Sequence, residues 1–229
     1  MSLSSSPPMS TLLASLLSAN AKWAERVNDT HPNFFGQCAK GQSPKVLWIG
    51  CADSRIPESV VTDAKPGDIF VHRNIANQFH LDDDSALSVL TYAINVVGVE
   101  HVLIVGHTHC GGAAACLEAA QAQASNSPPP VSPDTPLGRW LSPLINLVLT
   151  LGLEALPAES HLDTIVEANV KRQVENVCAT DVIKGAWAAA LGDESKEKRQ
   201  VWVHGWVYDV ASGRLKDLGV SRGPQAQGE

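Results

Sequence analysis

Three short apolar runs punctuate the first half of the chain: Lys45-Val-Leu-Trp-Ile-Gly50, Ile69-Phe-Val-His72 and His101-Val-Leu-Ile-Val105. Runs so short and so uniformly apolar suit strands buried on both faces, since helices generally need roughly ten residues or more. Between the last two, Ser85 to Val97 sets Leu87, Leu90, Ile94 and Val97 on one helical face, and Gly98 supplies the stop. Strands alternating with helices predict an α/β fold with a mostly parallel central sheet flanked by helices.

Residues 9–26 carry apolar positions at helical spacing (Leu12, Leu13, Leu16, Leu17, Ala21, Trp23 and Ala24) and predict an amphipathic N-terminal arm seeking a partner surface. Gly111 to Ala122 is Ala-rich and predicts a helix, and 123–136, with five prolines, reads as a loop. A further helix is expected from Ser160, which has capping-box spacing to Asp163; Ile165, Val166, Val170 and Val174 form its stripe. Residues 200–210 read as a strand, Ala211-Ser-Gly213 as a turn and Arg214 to Val220 as a returning, antiparallel edge. The organisation expected is a helical arm over 1–30, one α/β domain over 31–220 and a flexible tail over 221–229.

The chain has 229 residues, 44% of them hydrophobic and 18% charged, enough to bury a core. A net charge of −7 without a Lys/Arg run argues against binding nucleic acid or an anionic membrane. No stretch is apolar for long enough to cross a bilayer. Five cysteines, an odd number in a chain this long, suit free thiols and metal ligands in a reducing compartment, and the cytoplasm is the expected location.

Two reactive loops directly follow predicted strands: Cys51-Ala-Asp-Ser-Arg55 after Gly50, and Gly106-His-Thr-His-Cys-Gly-Gly112 after Val105. In an open parallel sheet, ligands bind beyond the carboxyl ends of the strands, so the two loops can converge there. Cys51, His107 and Cys110 then offer two thiolates and one imidazole, a zinc set whose three ligands leave a fourth position for water. Asp53 and Arg55, two residues apart, make an oriented carboxylate: Arg55 keeps Asp53 ionised and Asp53 accepts a hydrogen bond from the water. Rival readings are a Cys51 nucleophile activated by His107, and a structural-zinc or bicarbonate-sensing protein.

These two loops closely resemble the paired signatures of β-carbonic anhydrases. The likeness extends through Pro66-Gly-Asp-Ile-Phe70 and His72-Arg-Asn-Ile-Ala-Asn77 and resumes at His204-Gly-Trp-Val-Tyr208. The resemblance implies a carbonate dehydratase, with one zinc per chain on Cys51, His107 and Cys110. The implied reaction is reversible hydration of carbon dioxide to bicarbonate and a proton via zinc-bound hydroxide, oriented by the Asp53–Arg55 pair. It implies that Gln42, Phe70 and Tyr92 line the carbon dioxide pocket at a dimer interface, and that the chain forms a homodimer or a dimer of dimers. Likeness to an allosteric branch adds a regulatory bicarbonate site of Trp48, Arg73 and Tyr208. In that branch Asp53 leaves Arg55 in a closed form and becomes the fourth zinc ligand. His109, where relatives vary, is either a proton relay or a solvated side chain.

Overall fold

In the computed structural model, residues 10–192 and 200–224 are described. They fall in two units, one ending at Gln42 and one beginning at Ser43. The N-terminal unit holds α1, Thr11–Thr30, and α2, Phe34–Cys38. The Ser10 side chain caps α1 by accepting from the Leu13 amide at 3.3 Å. α1 runs four residues past the expected end at 26 and buries no side chain within its own unit: Leu12, Leu13, Leu16 and Leu17 are 52–66% exposed. The unit that contains this arm thus reaches Gln42, well beyond residue 30.

The second unit is built on a five-stranded sheet in the order β2-β1-β3-β4-β5. Its strands are β1 (Val46–Cys51), β2 (Ile69–Asn74), β3 (His101–His107), β4 (Trp202–Asp209) and β5 (Arg214–Asp217). The pairs β1–β2, β1–β3 and β3–β4 are parallel, and β5 returns antiparallel on β4. The expected mixed sheet with one antiparallel edge is the one observed. Parallel pairing places the carboxyl ends of β1 and β3 side by side, with Gly50 opposite Val105.

The helices are α3 (Glu58–Val61), α4 (Asp84–Tyr92), α5 (Gly111–Ala124), α6 (Pro136–Val148), α7 (His161–Ala179) and α8 (Asp181–Gly192). The helix expected through Val97 changes hydrogen bonding at Ala93 and finishes as a π turn, Ala93–Val97. The amide of Gly98 there reaches back five residues to the Ala93 carbonyl at 2.8 Å. α6 and α8 lie where no element was expected. α6 begins inside the expected loop, with Thr135 accepting from the Gly138 amide at 3.0 Å and Pro136 in the first turn. Ser160 does not form the expected capping box. Its backbone is already helical, and its hydroxyl donates to the Pro157 carbonyl at 2.7 Å.

The main core lies on one face of the sheet, where Leu47, Ile49, Val102, Ile104 and Val203 meet the Ile165–Val166–Val170–Val174–Val177 stripe of α7 and Leu141 and Leu144 of α6. A smaller layer on the other face gathers Trp48, Leu103 and Val105, with Trp206 and Tyr208 against them. The tail expected from Ser221 is pinned at its start: Arg222 bridges Val203 in antiparallel fashion, and Ser221 Oγ lies 2.8 Å from His204 Nδ1. The rest of it, 225–229, lies outside the described residues. Among the described residues no helix is long and apolar enough to cross a membrane.

Candidate metal centre and active site

Cys51 ends β1, His107 ends β3 and Cys110 occupies the N-cap of α5, so all three stand at the carboxyl edge of the sheet. Their donor atoms lie within 4.8 Å of one another, and all three residues are buried. Two residues link His107 to Cys110. One of them, His109, is left-handed at φ 57° and exposed, which helps the chain turn sharply from strand into helix.

The imidazole is oriented from behind. His107 Nδ1 lies 2.9 Å from the Thr108 carbonyl, which fixes the proton on Nδ1 and leaves Nε2 facing the sulfurs. That Nε2 is buried with no hydrogen-bond partner, an arrangement that costs free energy unless something else binds it. Thr108 is anchored in turn: its amide donates to the Tyr208 carbonyl at 3.0 Å and its hydroxyl to Asp209 Oδ1 at 3.1 Å. Sequence reasoning passed over Thr108 and Asp209; the one available signal was Thr108's place inside the second loop.

The sulfurs show the same unmet demand. A hydrogen bond from Cys110 outweighs burial and holds the Cys51 thiol down to about 4. The same contact and burial push the Cys110 thiol upward, because a second thiolate beside the first is opposed. A divalent cation relieves both problems at once. Buried two-thiolate, one-imidazole donor sets fit zinc better than the harder, oxygen-preferring cations.

Beside the cluster, Arg55 grips Asp53 in a fork: Nε to Oδ1 at 2.9 Å, Nη2 to Oδ2 at 2.7 Å, and the Arg55 amide to Oδ1 at 2.9 Å. These bonds hold the Asp53 carboxyl well below the usual carboxylate range. Arg55 Nη2 also donates to the His109 carbonyl at 3.1 Å, tying the two loops together. Asp53 Oδ2 lies 3.9 Å from His107 Nε2, so the carboxylate sits at the edge of the donor cluster while engaged by Arg55.

Of the expected pocket residues, Phe70 and Tyr92 stack with centroids 6.0 Å apart, Tyr92 being 49% exposed; Gln42 is exposed and belongs to the N-terminal unit. Trp48 is fully buried, with Tyr208 against the same apolar layer, and its indole N–H has no partner. The Arg73 guanidinium is engaged with the main chain of the first loop, donating from Nε to the Cys51 carbonyl at 2.9 Å and from Nη2 to the Asp53 carbonyl at 2.6 Å.

The carbonic anhydrase family profile matches residues 46–215, and a tetrameric β-carbonic anhydrase of Sordaria macrospora superposes with a TM-score of 0.81. This chain belongs to the β-carbonic anhydrase family. The Sordaria protein is 33% identical, the match covering 93% of this chain and all of the other. The Coccomyxa β-carbonic anhydrase, solved with acetazolamide, is 32% identical at a TM-score of 0.78, covering 91% of this chain and 87% of that one. A carbonic anhydrase of Emericella nidulans is 31% identical over 208 residues, which is 90% of this chain and 82% of the relative. Membership of the β-carbonic anhydrase family accounts for the convergence of the two loops at one sheet edge.

Proposed function

We propose that this chain is a carbonate dehydratase that interconverts carbon dioxide and bicarbonate, with one zinc ion held by Cys51, His107 and Cys110. The observation that carries the reading is the buried Cys51–His107–Cys110 cluster, whose donor atoms lie within 4.8 Å, with an unsatisfied His107 Nε2 and a clamped carboxylate alongside. Zinc in this donor set supplies Lewis-acid activation of a water molecule near neutral pH.

The protein groups do the rest. Arg55 occupies the Asp53 carboxylate with three hydrogen bonds, so Asp53 stays ionised and acts as an acceptor rather than a base. Its remaining acceptor capacity orients the attacking water, which leaves a lone pair directed at the carbon of the substrate. The Phe70–Tyr92 pair offers an apolar wall for carbon dioxide. As the new C–O bond forms, one C=O electron pair moves onto oxygen, bicarbonate departs and one proton passes to buffer.

Purified protein is expected to carry about one zinc per chain. Cys51→Ser and His107→Ala lose both metal and carbon dioxide hydration, whereas Arg55→Ala keeps zinc and loses roughly 10- to 100-fold in activity. Full activity in chelated, metal-free protein would overturn the reading. The Sordaria enzymes are tetrameric, and the unburied α1 stripe supports self-association here, as a homodimer or a dimer of dimers. An odd count of five cysteines, two of them read as metal ligands, fits a cytoplasmic setting.

A second anion site is favoured by one specific observation. The buried Trp48 indole N–H has no partner, on the sheet layer that also holds Tyr208, and Arg73 follows on the neighbouring strand. We read Trp48, Arg73 and Tyr208 as a regulatory bicarbonate site. Bicarbonate should then inhibit the wild type more than Trp48→Val or Tyr208→Phe at mildly acidic pH; equal inhibition of all three would assign these residues a structural role only.

A further inference from the structure

The chain between β2 and α4 packs against the first turn of α5, whose N-cap is Cys110, in an unusual conformation. Ala76 and Asn77, both buried, are left-handed at φ 60° and 45°, although neither is glycine. Successive non-glycine residues rarely hold this backbone unless their surroundings impose it. Ala76 packs beside the start of α5, where a β-carbon on Gly112 would lie 3.6 Å from the Ala76 nitrogen.

The surroundings that impose it come from α7. Asn169 and Gln173, one turn apart, are 2% and 3% exposed and sit on the face that otherwise supplies the apolar stripe. Asn169 Nδ2 donates to the Ala76 carbonyl at 2.9 Å, and Gln78 Nε2 donates to the same oxygen at 3.0 Å. Asn169 Oδ1 accepts from Gln78 Nε2 at 2.6 Å and from Gln173 Nε2 at 2.9 Å. Gln173 Oε1 accepts from the Phe79 amide at 2.9 Å. On its other side, Ala76 is pressed by the first turn of α5, where a β-carbon on Gly112 would lie 3.0 Å from the Ala76 methyl. Residue Ala76 is therefore held from both sides, its carbonyl by α7 and its methyl by the helix whose N-cap is Cys110.

We propose that Asn169 and Gln173 are positioning residues for the metal centre, holding the Ala76–Asn77 turn in place behind the first turn of α5, whose N-cap is Cys110. This rests on the zinc reading above. A turn held rigidly behind the helix start that carries a ligand fixes that ligand's orientation, as outer-shell partners do for other metal ligands. Neutral amides suit the task, since a charge buried at this position would act on the cluster directly.

The test compares Asn169→Ala with Asn176→Ala. Asn176 belongs to the same ladder, donating to the Phe79 carbonyl and to Gln173 Oε1, both at 3.0 Å, and it makes neither of the Ala76 bonds. Both variants should lower the thermal midpoint. Only Asn169→Ala should weaken zinc, by about 10- to 100-fold in chelator competition. It should also shift the thiolate-to-metal charge-transfer band of the cobalt-substituted protein, which loss of stability alone would not move. If Asn169→Ala binds zinc as the wild type does, with an unchanged cobalt spectrum, the positioning role is wrong. It is equally wrong if both variants lose zinc in proportion to their loss of stability. Failure of the wild type to bind zinc at all would instead remove the underlying metal assignment.

Discussion

At Gly205 the β4 backbone and α7 approach so closely that a β-carbon would lie 2.7 Å from Val220 Cγ2 and 2.9 Å from Val170 Cγ1. None of these atoms is the mobile end of a long side chain, so the helix or the strand must shift to admit a methyl. Gly205→Ala is expected to destabilise the fold by about 1–3 kcal/mol, the usual cost of overpacking. The urea midpoint should fall with an unchanged slope, while zinc content per folded molecule stays the same. An unaltered midpoint would show that the interface has more give than the static packing suggests. The candidate metal donors were legible as residues because Cys51 and His107 end apolar runs and Cys110 lies in the loop that follows, where an open parallel sheet exposes its loops. The buried amides were not. Asn169 and Gln173 fall among valines at helical spacing, and a polar residue there reads as the edge of a solvated face until the Ala76 carbonyl is seen. The Arg73 bonds to the carbonyls of Cys51 and Asp53 were equally hidden, because main-chain acceptors leave no mark in side-chain identity.

Among the elements, those whose hydrophobic period matches their burial could be read: β1, β3, β4 and the α7 stripe; β2 was read as a strand but, at the sheet edge, buries none of its residues fully. α6 was missed because its start, Thr135-Pro136, closes a proline-rich stretch and looks like more loop. The Ser160 cap failed because the three-residue 3-10 turn Ala158–Ser160 leads into α7, so the residue spaced for capping is already inside helical backbone. α1 poses the opposite case, with a clear stripe and no burial. Leu16 and Leu17, at 58% and 61% exposure, each stand to gain roughly 1.5–3 kcal/mol on full burial, and a second copy of the chain is the proposed cover. Replacing both by Glu should move the protein to a smaller species in sedimentation velocity, with little change in helical signal. Retention of the wild-type assembly would exclude this stripe from the subunit contact.

For the molecule as a whole, three histidines set an expected response to acid. Burial lowers His72, His80 and His204 below the ordinary imidazole value. The charged groups facing them are Asp83 for His72, Asp82 and Asp83 for His80, and His101 and Asp217 for His204; only the aspartates oppose the shift. In the unfolded chain each imidazole takes up a proton near pH 6.5. The folded protein resists that uptake, so below about pH 6.5 the unfolded state binds more protons and stability falls as pH falls. Above that value all three are neutral in both states and add no pH dependence. Protonation of the thiolates proposed to hold zinc would also release metal in acid, so the slope must be read at saturating zinc and compared between variants. His204 is the informative position: its Nε2 lies 3.1 Å from His101 Nδ1 and its Nδ1 2.8 Å from Ser221 Oγ, joining β3, β4 and the final described segment in one chain of hydrogen bonds. His204→Gln keeps a polar side chain there without a titrating group. Between about pH 7 and 5 its stability should decline less steeply than that of the wild type, by at most about 1.4 kcal/mol per pH unit, the linkage slope of one proton. If the two slopes coincide, His204 is not among the groups whose protonation unfolds the chain, and the acid response belongs to His72, His80 and the metal ligands.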